Sequence, residues 1–301
     1  MIFAAIDIGS NAGRLLFSNV YEKKDEIVAE KATLVRIPLR LGEDVFENGF
    51  ISKEKTANLV NTLKAFKLLI DVYNPTAYKA VATAAMREAE NRDDILQMIY
   101  KETNIELQII NGIEEANYIS GSKTISGIDR SATKMFIDVG GGSTEISFMC
   151  GNRVINSESF KIGTIRLLKD KVSVLEWERL KSWIKYNLKT GKNIIAIGTG
   201  GNINKIAKIY NKKADNFTSL DTIKYAHEHI SSYSMQERVE ILGLRPDRAD
   251  VIVPAAKIFM NLMKYAKLNK IMVPKMGLPD GVVSQLYIKH KQNMGFLNLE
   301  I

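Results

Sequence analysis

Two segments of this 301-residue chain coincide at a constant offset of 131 residues. Ile6-Asp7-Ile8-Gly9-Ser10-Asn11-Ala12-Gly13-Arg14-Leu15-Leu16-Phe17 lines up without gaps on Ile137-Asp138-Val139-Gly140-Gly141-Gly142-Ser143-Thr144-Glu145-Ile146-Ser147-Phe148. Ile, Asp, Gly and the closing Phe are identical, and apolar positions face apolar positions. Each copy reads as an apolar strand ending in Asp, a tight Gly/Ser/Asn turn and a second strand. A duplicated unit of this kind implies two related halves whose polar turns face each other across a cleft. Gly-rich turns with a carboxylate beside them suit phosphate and a divalent metal.

The rest of the chain fills in around the repeat. Residues 2–8, 14–21 and 27–40 read as an antiparallel meander, repeated at 134–139, 143–149 and 153–160. Ser52 is the expected N-cap of a helix reaching about Tyr73, with Leu59, Leu63, Phe66 and Ile70 on one face. Tyr78–Thr83 and Ile105–Ile110 read as strands, with helical sequence between them broken near Asn91 and another helix from Gly112 to about Ser120. In the second half, helices are expected at 174–189, from about 202, at 221–231, 234–242, 249–266 and 282–291, and strands at 193–197 and 271–273. Alternating strands and helices in two similar halves make an α/β protein. The halves join near 120–133, where Gly121, Ser122, Ser126, Gly127 and Asp129 form a polar connection.

Composition excludes several classes. With 46% hydrophobic and 25% charged residues, the chain is an ordinary globular protein. It has no unbroken apolar run approaching the roughly 18 residues of a membrane span. Its N-terminus is apolar only to Asp7, with no basic lead and no small-residue cleavage site, so no secretory signal is expected. Cys150 is the single cysteine; it rules out an intrachain disulfide, fits a reducing cytoplasm, and is expected to be a buried small hydrophobe at a strand end. The formal charge of +8 suits an anionic partner, although lysines such as Lys181, Lys185 and Lys189 fall at helical spacing and read equally well as a solvated face. No aromatic-interleaved basic patch, zinc spacing or helix-turn-helix signal argues for specific nucleic-acid binding. His227, His229 and His290 are too scattered for a metal or nucleophile triad and read as surface residues.

Three Gly-rich turns follow apolar strands, at 9–13, 140–144 and 198–201. Glycine lets backbone N–H groups approach an anion closely, and the third turn opens a helix whose first N–H groups can also hold phosphate. Each alone could be an ordinary tight turn; repetition after matching strands favours phosphate. Asp7, Asp138 and Glu145 beside these turns would repel phosphate without an intervening cation, and magnesium is the natural one. Arg14 stands at the repeat position of Glu145, so one half offers a cation where the other offers a carboxylate. Asn111 as N-cap gives Glu114 a capping-box role. Glu115, in the same first turn, has no such structural task. It is either a solvated helix-start residue or a general base for water. Arg87 follows a strand and is placed to reach the same cleft.

These motifs together resemble the exopolyphosphatase/guanosine pentaphosphate phosphohydrolase family, part of the actin-like, sugar-kinase and Hsp70 ATPase superfamily. The resemblance spans almost the whole chain. It is carried by Ile6–Leu15, Ala82–Ala89, Gly112–Ala116, Ile137–Glu145 and Ile197–Asn202, with Gly243–Asp250 and Gly277–Val282 adding to it. It implies two ribonuclease-H-like domains flanking an active-site cleft, residues 1–122 with about 282–301 forming one and 123–281 the other. It implies magnesium-assisted hydrolysis of a terminal phosphoanhydride, with Glu115 as the base that activates water. It places Asp138 and Glu145 at the metal, and Asn11, Arg14, Arg87, Gly140, Gly141, Gly142, Ser143, Thr144, Gly200, Gly201 and Asn202 in phosphate-binding segments. The implied substrate is inorganic polyphosphate or guanosine pentaphosphate, the implied compartment the cytoplasm, and a homodimer is compatible with the family.

Two departures stand out. The first motif usually has a hydroxyl residue after Asn, and here it is Ala12, removing one hydrogen bond typically worth about 1 kcal/mol or somewhat more with a charged acceptor. The late motif usually has Arg-Glu between Leu and Gly, and here it is Pro279-Asp280. Weaker binding or altered chain-length preference is the expected consequence. The chain looks like the short two-domain form. Exopolyphosphatase is the leading function. Guanosine pentaphosphate 5′-phosphohydrolase uses the same chemistry, and a small-molecule kinase would need an acceptor site and adenosine contacts. A non-catalytic polyphosphate or alarmone sensor would bind without releasing phosphate.

Overall fold

A computed structural model of the chain describes residues 1–23, 26–121, 132–151, 153–189, 193–211 and 216–295. The expected connection through Ser122, Ser126, Gly127 and Asp129 lies outside the described residues. The first half runs β1 (Ile2–Ile8), β2 (Ala12–Lys23), β3 (Glu26–Pro38), α1 (Leu41–Asn48), α2 (Lys53–Tyr73), β4 (Ala77–Ala82), α3 (Ala84–Glu88), α4 (Arg92–Thr103), β5 (Leu107–Ile109) and α5 (Gly112–Ser120). The second runs β6 (Thr133–Val139), β7 (Thr144–Cys150), β8 (Arg153–Phe160), α6 (Thr164–Leu168), α7 (Val174–Leu188), β9 (Ile195–Thr199) and α8 (Gly201–Tyr210). It ends with β10 (Phe217–Ser219), α9 (Leu220–Ser231), α10 (Met235–Glu240), α11 (Pro246–Ala249), α12 (Ile252–Ala266), β11 (Lys270–Met272) and α13 (Leu278–Asn293).

The duplication read from the sequence is a duplication of topology. The first sheet has the order β3-β2-β1-β4-β5, and the second β8-β7-β6-β9-β11 with β10 added at the edge. In each, an antiparallel meander is extended by parallel strands reached through helices, which is the ribonuclease-H-like arrangement.

Both faces of the central strands are buried, and alternation decides what each face meets. Ala4, Ile6 and Ile8 of β1 join the core under α2 and α4, with Leu59, Leu63 and Phe66. Phe3 and Ala5 point the other way, into a core shared by both halves: it holds Tyr118 and Ile119 of α5, Val282, Val283 and Tyr287 of α13, and Phe136, Met149 and Ile197 of the second sheet. A third core, with Met135, Ile137, Ile184 and Phe259, lies on the far side of the second sheet. The molecule is thus layered, with α5 and α13 between the sheets. α5 packs on β7 and β8, and α13 on β1, β2 and β4. Asp7 continues the parity of Phe3 and Ala5, and Asp138 that of Phe136, so both carboxylates point into the central layer just where its apolar filling ends.

Several elements differ from expectation. The third strand stops at Pro38 rather than residue 40, because Arg40 turns left-handed (φ 51°) to start α1. α1 and α6 escape a periodicity reading: the first is two turns long with Gly42 inside it, and the second has five residues. Cys150 ends its strand as expected but is exposed. None of the three histidines is fully exposed. His229 shares a 2.9 Å hydrogen bond between Nδ1 and the Tyr210 hydroxyl, and His290 packs edge-on against Phe3.

Candidate active site

The halves meet at their turns. A Cβ on Gly142 would collide with the Phe46 ring and lie 2.7 Å from Ala84, so only glycine lets the second turn seat against α1 and α3. Arg166 fastens the contact: its Nε donates to the Gly142 carbonyl, its guanidinium pairs with Glu88, and its plane lies 3.9 Å from the Phe46 ring centre. On the other side, Asn11 donates from Nδ2 to the Asp247 carbonyl at 2.9 Å, and Arg40 pairs with Asp250. Between these contacts the three turns enclose a cleft.

One end of the cleft is acidic. Carboxylate oxygens of Glu115, Asp138 and Glu145 lie within 4.8 Å of one another. They come from the first turn of α5, the end of β6 and the start of β7. Asp138 and Glu145 are direct cross-strand partners, a like-charge placement that opposes strand pairing. Asp138 Oδ1 accepts from Thr199 Oγ1 at 2.5 Å, and Glu145 Oε1 from Ser159 Oγ at 2.9 Å. Glu115 Oε2 and Glu145 Oε2 are buried with no hydrogen-bond partner. Unpaired buried carboxylate oxygens are costly, and a hard cation with oxygen ligands removes that cost. The donor set therefore fits a divalent metal. Such an ion would be held by Asp138 and Glu145, with Glu115 facing it.

Burial first, then the Glu145 and Asp138 carboxylates, raises the Glu115 pKa well above the usual range, while Arg87, 3.8 Å away, opposes the shift. Burial likewise pushes Glu145 up to about 7 and raises Asp138. A carboxyl with a raised folded-state pKa keeps a proton that the unfolded chain would release. Unfolding free energy then falls as pH rises through that window. In the metal-free protein, urea unfolding should therefore show stability declining between about pH 4.5 and about pH 7, and Glu145→Gln should flatten that decline. An unchanged slope in the variant would remove Glu145 from this role.

The other end is basic. Arg14 Nη1 pairs with Asp7 Oδ2 at 2.9 Å, and Arg36 and Arg248 line the same wall. A Cβ on Gly201 would sit 2.9 Å from Arg248 Nη2 and 3.8 Å from Arg14 Nη2, so both guanidinium groups reach the third turn. Burial, then Arg36 and Arg14, bring the Arg248 pKa down to about 10, the signature of cations crowded without enough anions. Gly200, at φ +100°, reverses the chain beside Asp138 and opens α8 toward this space.

The expected site residues divide. Glu115, Asp138, Asn11, Arg14, Gly140, Gly141, Gly200, Gly201 and Asn202 line the cleft. Glu145 stands just behind, joined to it through the acidic cluster. Gly142, Ser143 and Thr144 form the backing: Ser143 is buried beside Glu145, where its hydroxyl opposes the upward effect of burial on that carboxyl, and Thr144 Oγ1 donates to the Ile162 carbonyl. Arg87 donates to the Ile110 carbonyl at 2.7 Å and faces Glu115. Ala12 lies in the wall. Asp280 caps α13 through the Gly277 N–H and pairs with Lys31, so its carboxylate is used structurally.

Sequence reasoning missed Arg36, Arg248, Thr83 and Thr164, which also line the cleft. Arg248 had a signal, since it lies inside Gly243–Asp250, one of the segments carrying the resemblance. Arg36 had none, being one of several charges on an alternating strand.

The Ppx/GppA phosphatase family matches residues 22–290. A bifunctional 3-dehydroquinate synthase/phosphatase of Fusobacterium nucleatum is 30% identical over 295 residues, 90% of this chain and 44% of that protein, so the chain spans less than half of that relative. Exopolyphosphatase 1 of Mycobacterium leprae is 25% identical over 310 residues, covering 94% of this chain and 88% of that protein. Among solved structures, an exopolyphosphatase from Cytophaga hutchinsonii superposes with a TM-score of 0.82 at 23% identity, covering 96% of this chain and 98% of that one. A Ppx/GppA family member from Aquifex aeolicus gives 0.74 at 24%, with coverage of 96% and 98%. These likenesses bear out the two ribonuclease-H-like domains. No helix among the described residues is long and apolar enough to cross a membrane. With its family matched over nearly the whole chain and its carboxylates and arginines gathered in one cleft, the chain belongs to the Ppx/GppA phosphatase family.

Proposed function

We propose that the protein is an exopolyphosphatase that removes the terminal phosphate of inorganic polyphosphate. The observation that carries this reading is the bipolar cleft: an acidic cluster with unpartnered buried oxygens at one end and crowded arginines at the other. A polyanion with a metal at its reacting end satisfies both. Glu115 holds a water molecule and takes its proton as the water oxygen attacks the terminal phosphorus. The anhydride P–O bond breaks, and the shortened chain leaves with the bridging oxygen. Burial raises the Glu115 pKa toward the operating pH, which suits a base. Arg14, the N–H groups of Gly140, Gly141, Gly200 and Gly201, and Asn202 stabilise charge on the transferring group, and Arg87 orients Glu115. Magnesium, when bound at Asp138 and Glu145, supplies Lewis-acid stabilisation of the phosphoryl oxygens.

The same reading takes residues 1–122 with about 282–301 as one domain and 123–281 as the other, supported by α13 lying on the first sheet. The test is initial rates of phosphate release, with and without magnesium, on short polyphosphate, long polyphosphate and guanosine pentaphosphate. The expected result is magnesium-dependent release that favours polyphosphate. Release from guanosine pentaphosphate alone would transfer the function to the nucleotide, and binding without release would make the protein a sensor.

A further inference from the structure

The two halves repeat not only a turn but a complete rung across three strands. In the second sheet the rung is Asp138, Glu145 and Ser159, paired in register across β6, β7 and β8. In the first sheet the same rung is Asp7, Arg14 and Arg36 across β1, β2 and β3. Cross-strand partners in register project from the same face, so Arg36 looks onto the cleft as Ser159 looks onto the acidic cluster. One rung places two carboxylates side by side. The other places two guanidinium groups side by side. Each is a like-charge pair that invites a counter-ion of the opposite sign.

Arg36 is not satisfied by the protein. Its side chain is only 10% exposed and is paired through Nη2 with Asp247 Oδ2. Its Nε and Nη1 are buried with no hydrogen-bond partner. A guanidinium presents five donors in a planar fork, and one off-axis carboxylate leaves most of that fork empty. Asp247 sits on α11 of the opposite half, its backbone carbonyl held by Asn11, and its Oδ2 makes no hydrogen bond despite the ion pair. Three guanidinium groups (Arg14, Arg36, Arg248) thus face two carboxylates (Asp7, Asp247) at this end of the cleft.

We infer that Arg36 is the ligand of the phosphate next to the terminal one, and that Asp247 is a displaceable stand-in for that phosphate. This deepens the exopolyphosphatase reading and rests on it. The terminal phosphate lies at the acidic cluster. The next one docks on the fork of Arg36, fills the Nε and Nη1 positions, and competes with the Asp247 carboxylate. The arrangement selects anhydride chains over single phosphates, because an isolated phosphate has nothing to offer Arg36. It also gives Arg36 and Asp247 opposite effects on affinity, which a purely structural ion pair would not do.

Calorimetric binding in the Glu115→Gln background with magnesium separates these ideas without needing turnover. The ligands are tripolyphosphate, inorganic phosphate and guanosine pentaphosphate. Arg36→Gln is expected to weaken tripolyphosphate by about tenfold to a hundredfold, the range for hydrogen bonds to charged groups, and inorganic phosphate by much less. Asp247→Asn, isosteric and free of the competing charge, is expected to tighten tripolyphosphate a few-fold. Equal losses for tripolyphosphate and inorganic phosphate in Arg36→Gln would overturn the inference, as would Asp247→Asn weakening both. A loss confined to guanosine pentaphosphate would overturn the assignment to an inorganic chain. If Arg36→Gln melts far below the parent, the Asp247→Asn result decides by its sign. Should the parent enzyme release no phosphate from any of these compounds, the hydrolase assignment fails separately, while the binding comparison still reads the Arg36 subsite.

Discussion

Glu115→Gln is expected to lower the rate of phosphate release from tripolyphosphate by about 10²–10⁴-fold, the range for loss of a positioned general base, with substrate affinity changed little. The substitution keeps the shape of the side chain and removes its ability to take a proton. Glu115 is 6% exposed, is paired only loosely with Arg87, and has an unpartnered Oε2 in the acidic cluster. Its neighbour Glu114 offers an internal control: that carboxylate accepts from the Asn111 N–H at 2.8 Å and closes the capping box. Glu114→Gln should therefore retain turnover and cost at most about 1 kcal/mol of stability. Single-turnover kinetics with both variants checks the pair. If Glu115→Gln turns over at the parent rate, the assignment of the base is wrong.

Asp138→Asn is expected to remove the response of the protein to magnesium altogether. Three carboxylates within 4.8 Å repel one another in the metal-free state, and a bound cation stabilises the folded form with the logarithm of its concentration over the dissociation constant. The neutral amide relieves part of the repulsion from Glu145 and Asp7 and weakens the ion's hold. Two opposite shifts follow in thermal unfolding. The melting temperature in chelator rises relative to the parent, and its increment on adding magnesium disappears. Activity should fall by about 10²-fold or more, as expected when a charge-stabilising group of this kind is lost. An increment from magnesium equal to that of the parent would place the ion elsewhere.

Much of the fold was legible because the signals were local. The repeat of Asp7 and Asp138 needed only alternation and a glycine turn, and it located both central strands and two of the three glycine turns that enclose the cleft. The Ser52 and Asn111 caps were equally readable, since each is a contact between a side chain and an N–H two or three residues away. Elements without such signals were missed. α1 and α6 are too short for helical periodicity to rise above chance, yet they carry Phe46 and Arg166, which fasten one half to the other.

The site was legible in part for the same reason. Asp138 and Glu145 flank the second turn directly in the chain. Their proximity to Glu115 is not a local property: it depends on α5 crossing to pack on β7 and β8 while α13 takes the facing place on the first sheet. Arg36, Arg248 and Asp247 belong to segments more than 200 residues apart that meet only across the cleft.

From its sequence alone, then, the chain is committed to two halves of one topology, each ending its first strand in a carboxylate beside a glycine turn, because strand alternation and turn chemistry act between residues close together. What the carboxylates and arginines can do was decided by tertiary structure. Register across β1, β2 and β3, and across β6, β7 and β8, puts Arg14 beside Arg36 and Asp138 beside Glu145. Closure of the layers then buries Glu145 and half-buries Asp138, Arg14 and Arg36, and it is this loss of water around like charges that sets them apart from ordinary surface charges.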